Sequence, residues 1–311
     1  MSVTVVGSIA FDSVRTPFDR RERMLGGSAV HFALAASFFA DVRIVGPVGD
    51  DFAESEYEVL RARGVATDDI ERVPGGRTFF WRGHYGYDLN VAHTEETQLN
   101  VFGDFEPKLS AASRACDVLF LANIQPDLQR RVRQQTPDAR FVAMDSMNLW
   151  IETARDSLRA TIAEVDCLLL NDAELRMLTG EPSLLRAARE VMRWGPSLVV
   201  AKQGEYGAAL FAGDGFFALP AFPLETVLDP TGAGDSFAGG FLGYVAAHGA
   251  DSASEETLRQ AMAYGTALAS FNVEEFGTER VRRLTAEEIT ARVAALRRMT
   301  TFTDAPAVLR E

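Results

Sequence analysis

The chain has 311 residues, 47% of them apolar and 24% charged, with a formal net charge of −13. That length can bury one large α/β core, and the acidity argues against nucleic acid or an anionic membrane as the main partner, since both call for clustered Lys and Arg. Two cysteines, Cys116 and Cys167, sit beside apolar runs and read as reduced buried thiols; no run approaches roughly 18 apolar residues and no basic-then-apolar leader opens the chain, so we expect a cytoplasmic protein.

Val3–Gly7 reads as a short buried strand. The segment Ala10–Met24 then interrupts the connection, where a loop of roughly 2–6 residues is usual. Leu25-Gly26-Gly27-Ser28-Ala29-Val30-His31 is a Gly-rich entry into a small-residue helix through Ser37. Val42–Val48 follows as a strand, and Phe52–Arg63 as a helix behind an Asp51-x-x-Glu54 capping box. Arg77–Phe102 breaks the pattern: it is aromatic (Phe79, Phe80, Trp81, Tyr85, Tyr87), turn-rich and period-2 in places, and predicts antiparallel strands projecting from the sheet. Strands at Val118–Ala122, Phe141–Asp145, Leu168–Asn171 and Leu198–Lys202 alternate with helices at Leu128–Gln135, Ala173–Leu178 and Leu184–Trp194. A hairpin, Ala208–Ala212 and Phe216–Leu219, precedes helices at Asp235–Ala247, about Glu255–Ser270, and Ala286–Met299 behind a Thr285-x-x-Glu288 capping box. The alternation predicts an α/β fold, a mostly parallel sheet with helices on both faces.

Residues 229–243 carry the strongest chemical signal. Asp229-Pro230 leads into the turn Thr231-Gly232-Ala233-Gly234, and a small-residue helix begins near Asp235. Glycines allow a sharp turn and close approach to a ligand, and a helix start offers unpaired N–H groups at a positive dipole end. A carboxylate at the mouth of such an anion site would repel phosphate, but it makes sense as a base taking a proton from an attacking hydroxyl; the plainer reading makes Asp235 a helix cap. Asp12 stands just beyond the first strand, where α/β proteins place ligands, and can accept two hydrogen bonds from a diol or simply serve a turn. Asn171 and Glu174 share one face of a helical turn, fit for water-mediated Mg²⁺ binding or for a capping box. Lys202 and Gly204 stand at a turn after a strand, where Lys202 can pair with phosphate or remain a surface lysine. His31 is either a ligand contact or a helix-packing residue. No P-loop run, strand-borne Gly-x-Gly-x-x-Gly or Gly-x-Ser-x-Gly elbow occurs.

The run Asp229-Pro-Thr-Gly-Ala-Gly-Asp-Ser-Phe-Ala-Gly-Gly-Phe closely resembles the C-terminal signature of the ribokinase-like (PfkB) family of carbohydrate and nucleoside kinases. The Gly26-Gly27 helix entry resembles the N-terminal signature, with His31 where ribokinase-type members often carry Asn. The resemblance implies a three-layer α/β/α sandwich with a small β lid: 1–9, 25–76 and 103–311 as the core, 10–24 and 77–102 as the lid. It implies Gly232, Ala233 and Gly234 as an anion hole and Asp235 as the catalytic base. Asp12, Gly26, Gly27 and His31 would hold the acceptor, Asn171, Glu174, Lys202, Gly204 and Thr231 the ATP and Mg²⁺, and Asp229 with the Thr231 carbonyl a monovalent cation such as K⁺. Family members often line the adenine pocket near Phe271–Gly277, where Ser270 and Asn272 stay unassigned. We therefore expect a kinase acting on a hydroxymethyl group of a small sugar or polyol. The alternatives are a nucleoside acceptor, or a non-catalytic ligand-binding protein on the same fold. Exposed lid aromatics would be costly unless they cover a ligand or a second copy of the chain, so we expect a lid over the substrate site, with a homodimer through the lid as a further way to cover them.

Overall fold

A computed structural model describes residues 1–249 and 253–302. Among them the strands are β1 (Ser2–Val6), β2 (Ala10–Arg15), β3 (Arg20–Gly26), β4 (Asp41–Val48), β5 (Ile70–Arg72), β6 (Phe79–Tyr85), β7 (Ala92–Gln98), β8 (Val118–Leu121), β9 (Phe141–Asp145), β10 (Cys167–Asn171), β11 (Leu198–Lys202), β12 (Ala208–Ala212) and β13 (Gly215–Leu219). Nine form one sheet in the order β13-β12-β11-β10-β9-β8-β1-β4-β5. Neighbours from β5 to β11 run parallel; β12 turns back against β11, and β13 against β12.

The apolar strands dictate the layers. Successive strand side chains point to opposite faces, so a run apolar at every position must be covered on both. Val3, Val5, Val118, Phe120 and Leu169 enter one core, beneath helices Ser28–Ala36, Glu54–Arg61, Ala233–Ala247 and Glu255–Asn272. Val6, Leu119, Leu121, Leu168 and Leu170 enter the other, beneath Pro126–Gln135, Arg155–Ile162, Asp172–Thr179 and Leu184–Met192. Both cysteines are buried and free. Among the described residues no helix is long and apolar enough to cross a membrane.

A second sheet, β3-β2-β6-β7, stands apart from the first. The antiparallel strands expected within Arg77–Phe102 are β6 and β7; the sheet adds a parallel pairing of β6 with β2 on which the sequence pattern is silent. Pairs β2–β3 and β6–β7 are antiparallel, but β2 and β6 run parallel, Ala10 opposite Phe79 and Arg15 opposite His84. Each hairpin is a local feature, whereas their joining is a contact between distant segments that neither encodes alone. The capping box at Asp51 is corrected. The helix starts at Glu54 with Ala53 at its cap and no side-chain cap bond. Asp51 instead accepts from the Thr78 amide and hydroxyl, both at 2.8 Å, and pairs with Arg23 at 3.2 Å. Three donors, two from Thr78 just before β6 and one from Arg23 of β3, outweigh one orphan helix N–H. The box at Thr285 and Glu288 forms as expected.

The helices Ser28–Ala36 and Ala233–Ala247 approach closely because Gly239 and Gly243 lack side chains. A Cβ on Gly239 would collide with the Phe32 carbonyl and lie 2.8 Å from Ala35 Cβ. We expect Gly239→Ala to be destabilising by about 1–3 kcal/mol through overpacking, despite a helix-propensity gain of roughly 1 kcal/mol. A lower denaturant midpoint at unchanged slope would show it; an equal or higher midpoint would show that the two helices have room to part.

Candidate active site

The turn before helix Ala233–Ala247 is fixed by three constraints. Gly232 is the helix cap, with φ at 75°, a region unfavourable to residues with a Cβ. A Cβ there would also strike the His31 ring. Thr231, the residue entering the turn, is held at three atoms. Its N–H donates to Asp229 Oδ1 (2.9 Å), its carbonyl accepts from Asn272 Nδ2 (2.7 Å), and its hydroxyl lies 3.1 Å from Tyr85 Oη. The helix begins at Ala233, two residues earlier than expected, so Asp235 is not its cap but lies in the first turn. The first N–H groups of this helix lack i−4 carbonyls and sit at its positive end.

Behind this turn the carboxyl ends of β9, β10 and β11 bring a charged cluster together. Asn171 pairs in register with Lys202. Lys202 Nζ bonds Asp145 Oδ2 at 2.7 Å, and a Cβ built on Gly234 would lie 3.0 Å from the same Nζ. The ammonium is therefore directly under the Gly232–Gly234 turn. Burial alone would lower the Lys202 pKa, but Asp145, Glu174 and Asp235 more than offset it and hold it above its ordinary value. Burial pushes the Asp235 carboxyl up to about 7; Asp145 adds to the rise and Lys202 opposes it. Glu174 is likewise raised to about 7, by burial first. Asn171 and Glu174 do form the capping box, each side chain accepting from the other's backbone N–H at 2.7 and 2.8 Å. That leaves one Glu174 oxygen, Oε1, outside the box.

Asp12, Gly26 and Gly27 meet as the sequence implied. Asp12 Oδ2 accepts from the Gly27 amide at 3.4 Å, and a Cβ on Gly26 would overlap that carboxylate. Asp12 is raised to about 7 by burial, by Asp229 and, more weakly, by Asp235, so the two ends of the cleft feel each other's charge. His31 is placed differently from a ligand contact open to the cleft. It is 2% exposed, lies against Gly232, and bonds Asn272 Oδ1 through Nδ1 at 3.0 Å. Burial lowers its pKa to about 4, so it is neutral, and Nε2 lacks a partner. Asp229 is fully buried and spends its oxygens on the amides of Thr231 and Gly277. Gly204 opens a short 3-10 turn against Asn90 of the second sheet's loop.

Asn272 is the residue that sequence reasoning left unassigned. It is wholly buried; Oδ1 accepts from His31 and from Ser236 Oγ (3.0 Å), while Nδ2 donates to Thr231. The available signal was its position on the buried stripe Ala261, Gly265, Leu268, Asn272, since an amide on such a stripe must find partners. Replacing it by the isosteric Leu strands a ring N–H, a hydroxyl and a carbonyl, at roughly 1–3 kcal/mol for each group left unpaired. We expect Asn272→Leu to lose at least about 3 kcal/mol in denaturant unfolding; a loss under about 1 kcal/mol would mean that water replaces the amide there.

Residues 2–283 match the pfkB family of carbohydrate kinases. A cytidine kinase of Thermococcus kodakarensis is 32% identical over 252 residues, covering 78% of this chain and 87% of the relative. A nucleoside kinase of Methanothermobacter thermautotrophicus is 28% identical over 307 residues, covering 91% and 95%. Among solved structures, the nucleoside kinase of Burkholderia thailandensis in complex with inosine superposes with a TM-score of 0.76 at 21% identity, covering 94% of this chain and 97% of that one. The nine-stranded sheet with its four-stranded lid is the ribokinase fold, and the matched span takes in the Gly232–Gly234 turn, Asp235 and the Asp12 pocket: the chain belongs to the pfkB family of kinases, phosphotransferases with an alcohol group as acceptor.

Proposed function

We propose that this kinase is an ATP- and Mg²⁺-dependent nucleoside kinase, transferring the γ-phosphoryl group to the primary hydroxyl of the sugar. The observation that carries the reaction is Asp235, a partly buried carboxylate in the first turn of a helix whose preceding residues form a Gly-rich anion site above Lys202. The relatives favour a nucleoside over the simple sugar or polyol that the sequence put first.

In this reading Asp12 and the Gly26–Gly27 backbone hold the sugar diol, the carboxylate accepting two hydroxyl hydrogens. The acceptor hydroxyl gives its proton to Asp235 as its oxygen attacks the γ-phosphorus, and ADP leaves. The N–H groups of Gly232 and Gly234, with the helix dipole, stabilise charge on the transferring oxygens; the Ala233 N–H donates to the Pro230 carbonyl at 3.2 Å and would have to leave it to join them. Three carboxylates, Asp145, Glu174 and Asp235, surround one ammonium, Lys202, so the cluster suits a divalent cation. Mg²⁺, which keeps several of its waters, would be held through Asn171 and Glu174. When bound, Mg²⁺ would neutralise phosphate charge. Each Asp229 carboxylate oxygen and the Thr231 carbonyl accepts one protein hydrogen bond, so a K⁺ there would use their remaining lone pairs.

An ATP-consumption panel with cytidine, adenosine, inosine, guanosine, ribose, fructose and inositol tests the acceptor: turnover with a nucleoside supports the proposal, and turnover with free sugars alone overturns it. Asp235→Asn should lower kcat by about 10²–10⁴-fold, measured with the best acceptor. A base acts only when deprotonated, so kcat/KM should fall as pH drops through about 7. A profile flat from pH 6 to 9 would remove Asp235 from the proton transfer.

A further inference from the structure

The lid makes contacts at two places on the phosphate side of the cleft that acceptor binding alone would not require. The first is Tyr85 Oη to Thr231 Oγ1, at 3.1 Å. Two of the three anchors on Thr231, Asp229 and Asn272, belong to the core and are wholly buried. The third comes from β6 of the lid. The Tyr85 ring is 9% exposed and packs with Val14 of β2, Phe276 and Leu228, so it enters the core side with the lid sheet. The second contact, a pair of hydrogen bonds, lies at the turn between β6 and β7. Asn90 Nδ2 donates to Glu205 Oε1 at 3.3 Å, Asn90 Oδ1 accepts from the Glu205 amide at 3.4 Å, and Gly204 leaves the space that Oδ1 occupies.

We propose that the lid completes the donor site: Tyr85 is a positioning residue that fixes Thr231, and through it the Gly232–Gly234 turn, while Asn90 seats the Gly204–Tyr206 turn beside Lys202. The proposal rests on the phosphotransfer reading of the Gly232–Gly234 turn. Its physical content is that one rotatable hydroxyl of the turn is held only from the lid. With the lid against the cleft, the Thr231 side chain is clamped and its torsion cannot drag the turn; with the lid away, two backbone anchors remain and the side chain is free. Tyr85 acts on the reaction through Thr231, to which its hydroxyl is bonded. Acceptor capture by the lid would thereby be coupled to the geometry that receives the phosphoryl group, which limits loss of ATP to water before an acceptor is bound.

A double-mutant cycle tests this. Tyr85→Phe keeps the ring and its packing; Thr231→Val keeps the shape and both backbone anchors. If Tyr85 works through Thr231, each single change lowers kcat about tenfold and the double change also lowers it about tenfold, with acceptor KM within about twofold throughout. Thr231→Ser, which restores the hydroxyl, should recover most of kcat. An additive loss of about a hundredfold, or a rise in acceptor KM at unchanged kcat, would overturn the proposal and make Tyr85 an acceptor-binding or purely structural residue. Asn90→Ala should raise the KM for ATP and leave the acceptor KM unchanged; an unchanged KM for ATP would remove the second contact from the proposal. The cycle is read with whichever acceptor the wild-type enzyme uses, so a failure of nucleosides as acceptors leaves it intact, and its failure leaves the acceptor class intact.

Discussion

Burial of like charge at the carboxyl end of the sheet is the constraint on which the rest of this structure depends. Asp145, Glu174 and Asp235 converge on one ammonium, Lys202, and Asp12 and Asp229 stand at the next positions along the cleft. Removing a carboxylate from water disfavours its charged form, and Asp12, Glu174, Asp229 and Asp235 are all held above their ordinary values for that reason first. Such an arrangement works against folding at neutral pH. It persists because the two large cores on either face of the sheet hold the strand ends in place, and on the proposed reading the arrangement serves function, as a base near neutrality and a cation beneath the phosphate.

The scaffold around the cluster is built to keep one turn rigid. Gly232 must be a glycine both for its backbone and because the His31 ring fills the space of its side chain. His31 is in turn held by Asn272, which also holds Ser236 of the same helix and the Thr231 carbonyl. Helix Ser28–Ala36, helix Ala233–Ala247 and the end of helix Glu255–Asn272 thus meet at one buried amide. Asn272 Oδ1 accepts from a hydroxyl and from the imidazole, which fixes the His31 proton on Nδ1 and leaves Nε2 as an acceptor. The geometry of the Gly232–Gly234 turn is therefore set from the core outward, and the lid supplies the last contact.

Much of this was legible in the chain because the residues concerned have strong local requirements. Strands apolar at every position announced a sheet covered on both faces, and the Gly-rich entries at Gly26–Gly27 and Gly232–Gly234 announced their turns through residues without Cβ atoms. What escaped depended on distant partners. Asp51 looked like a helix cap because Glu54 follows at the right spacing, yet Thr78 and Arg23 outbid the helix for its oxygens. The three-residue β5 and the short helices Asn148–Thr153 and Arg155–Ile162 carry too few periodic positions to stand out. The parallel joining of β2 to β6, the burial of His31, and the roles of Asn272, Tyr85 and Asn90 are all contacts across more than 30 positions of chain, and no local pattern reports them.

The most direct test of this account is the thermal stability of Asp235→Asn against the wild type as a function of pH. The folded-state pKa of Asp235, about 7, lies above the unfolded value near 3.8, so the folded protein binds that proton more tightly and wild-type stability is lost as pH rises through this window. Asn carries no charge, so the variant should unfold at a higher temperature than the wild type at pH 8, with the gap shrinking toward pH 5. A variant less stable than the wild type at pH 8, with a deficit that grows as pH rises, would mean that the fold favours the charged carboxylate, and would contradict the account of a site assembled at the expense of stability.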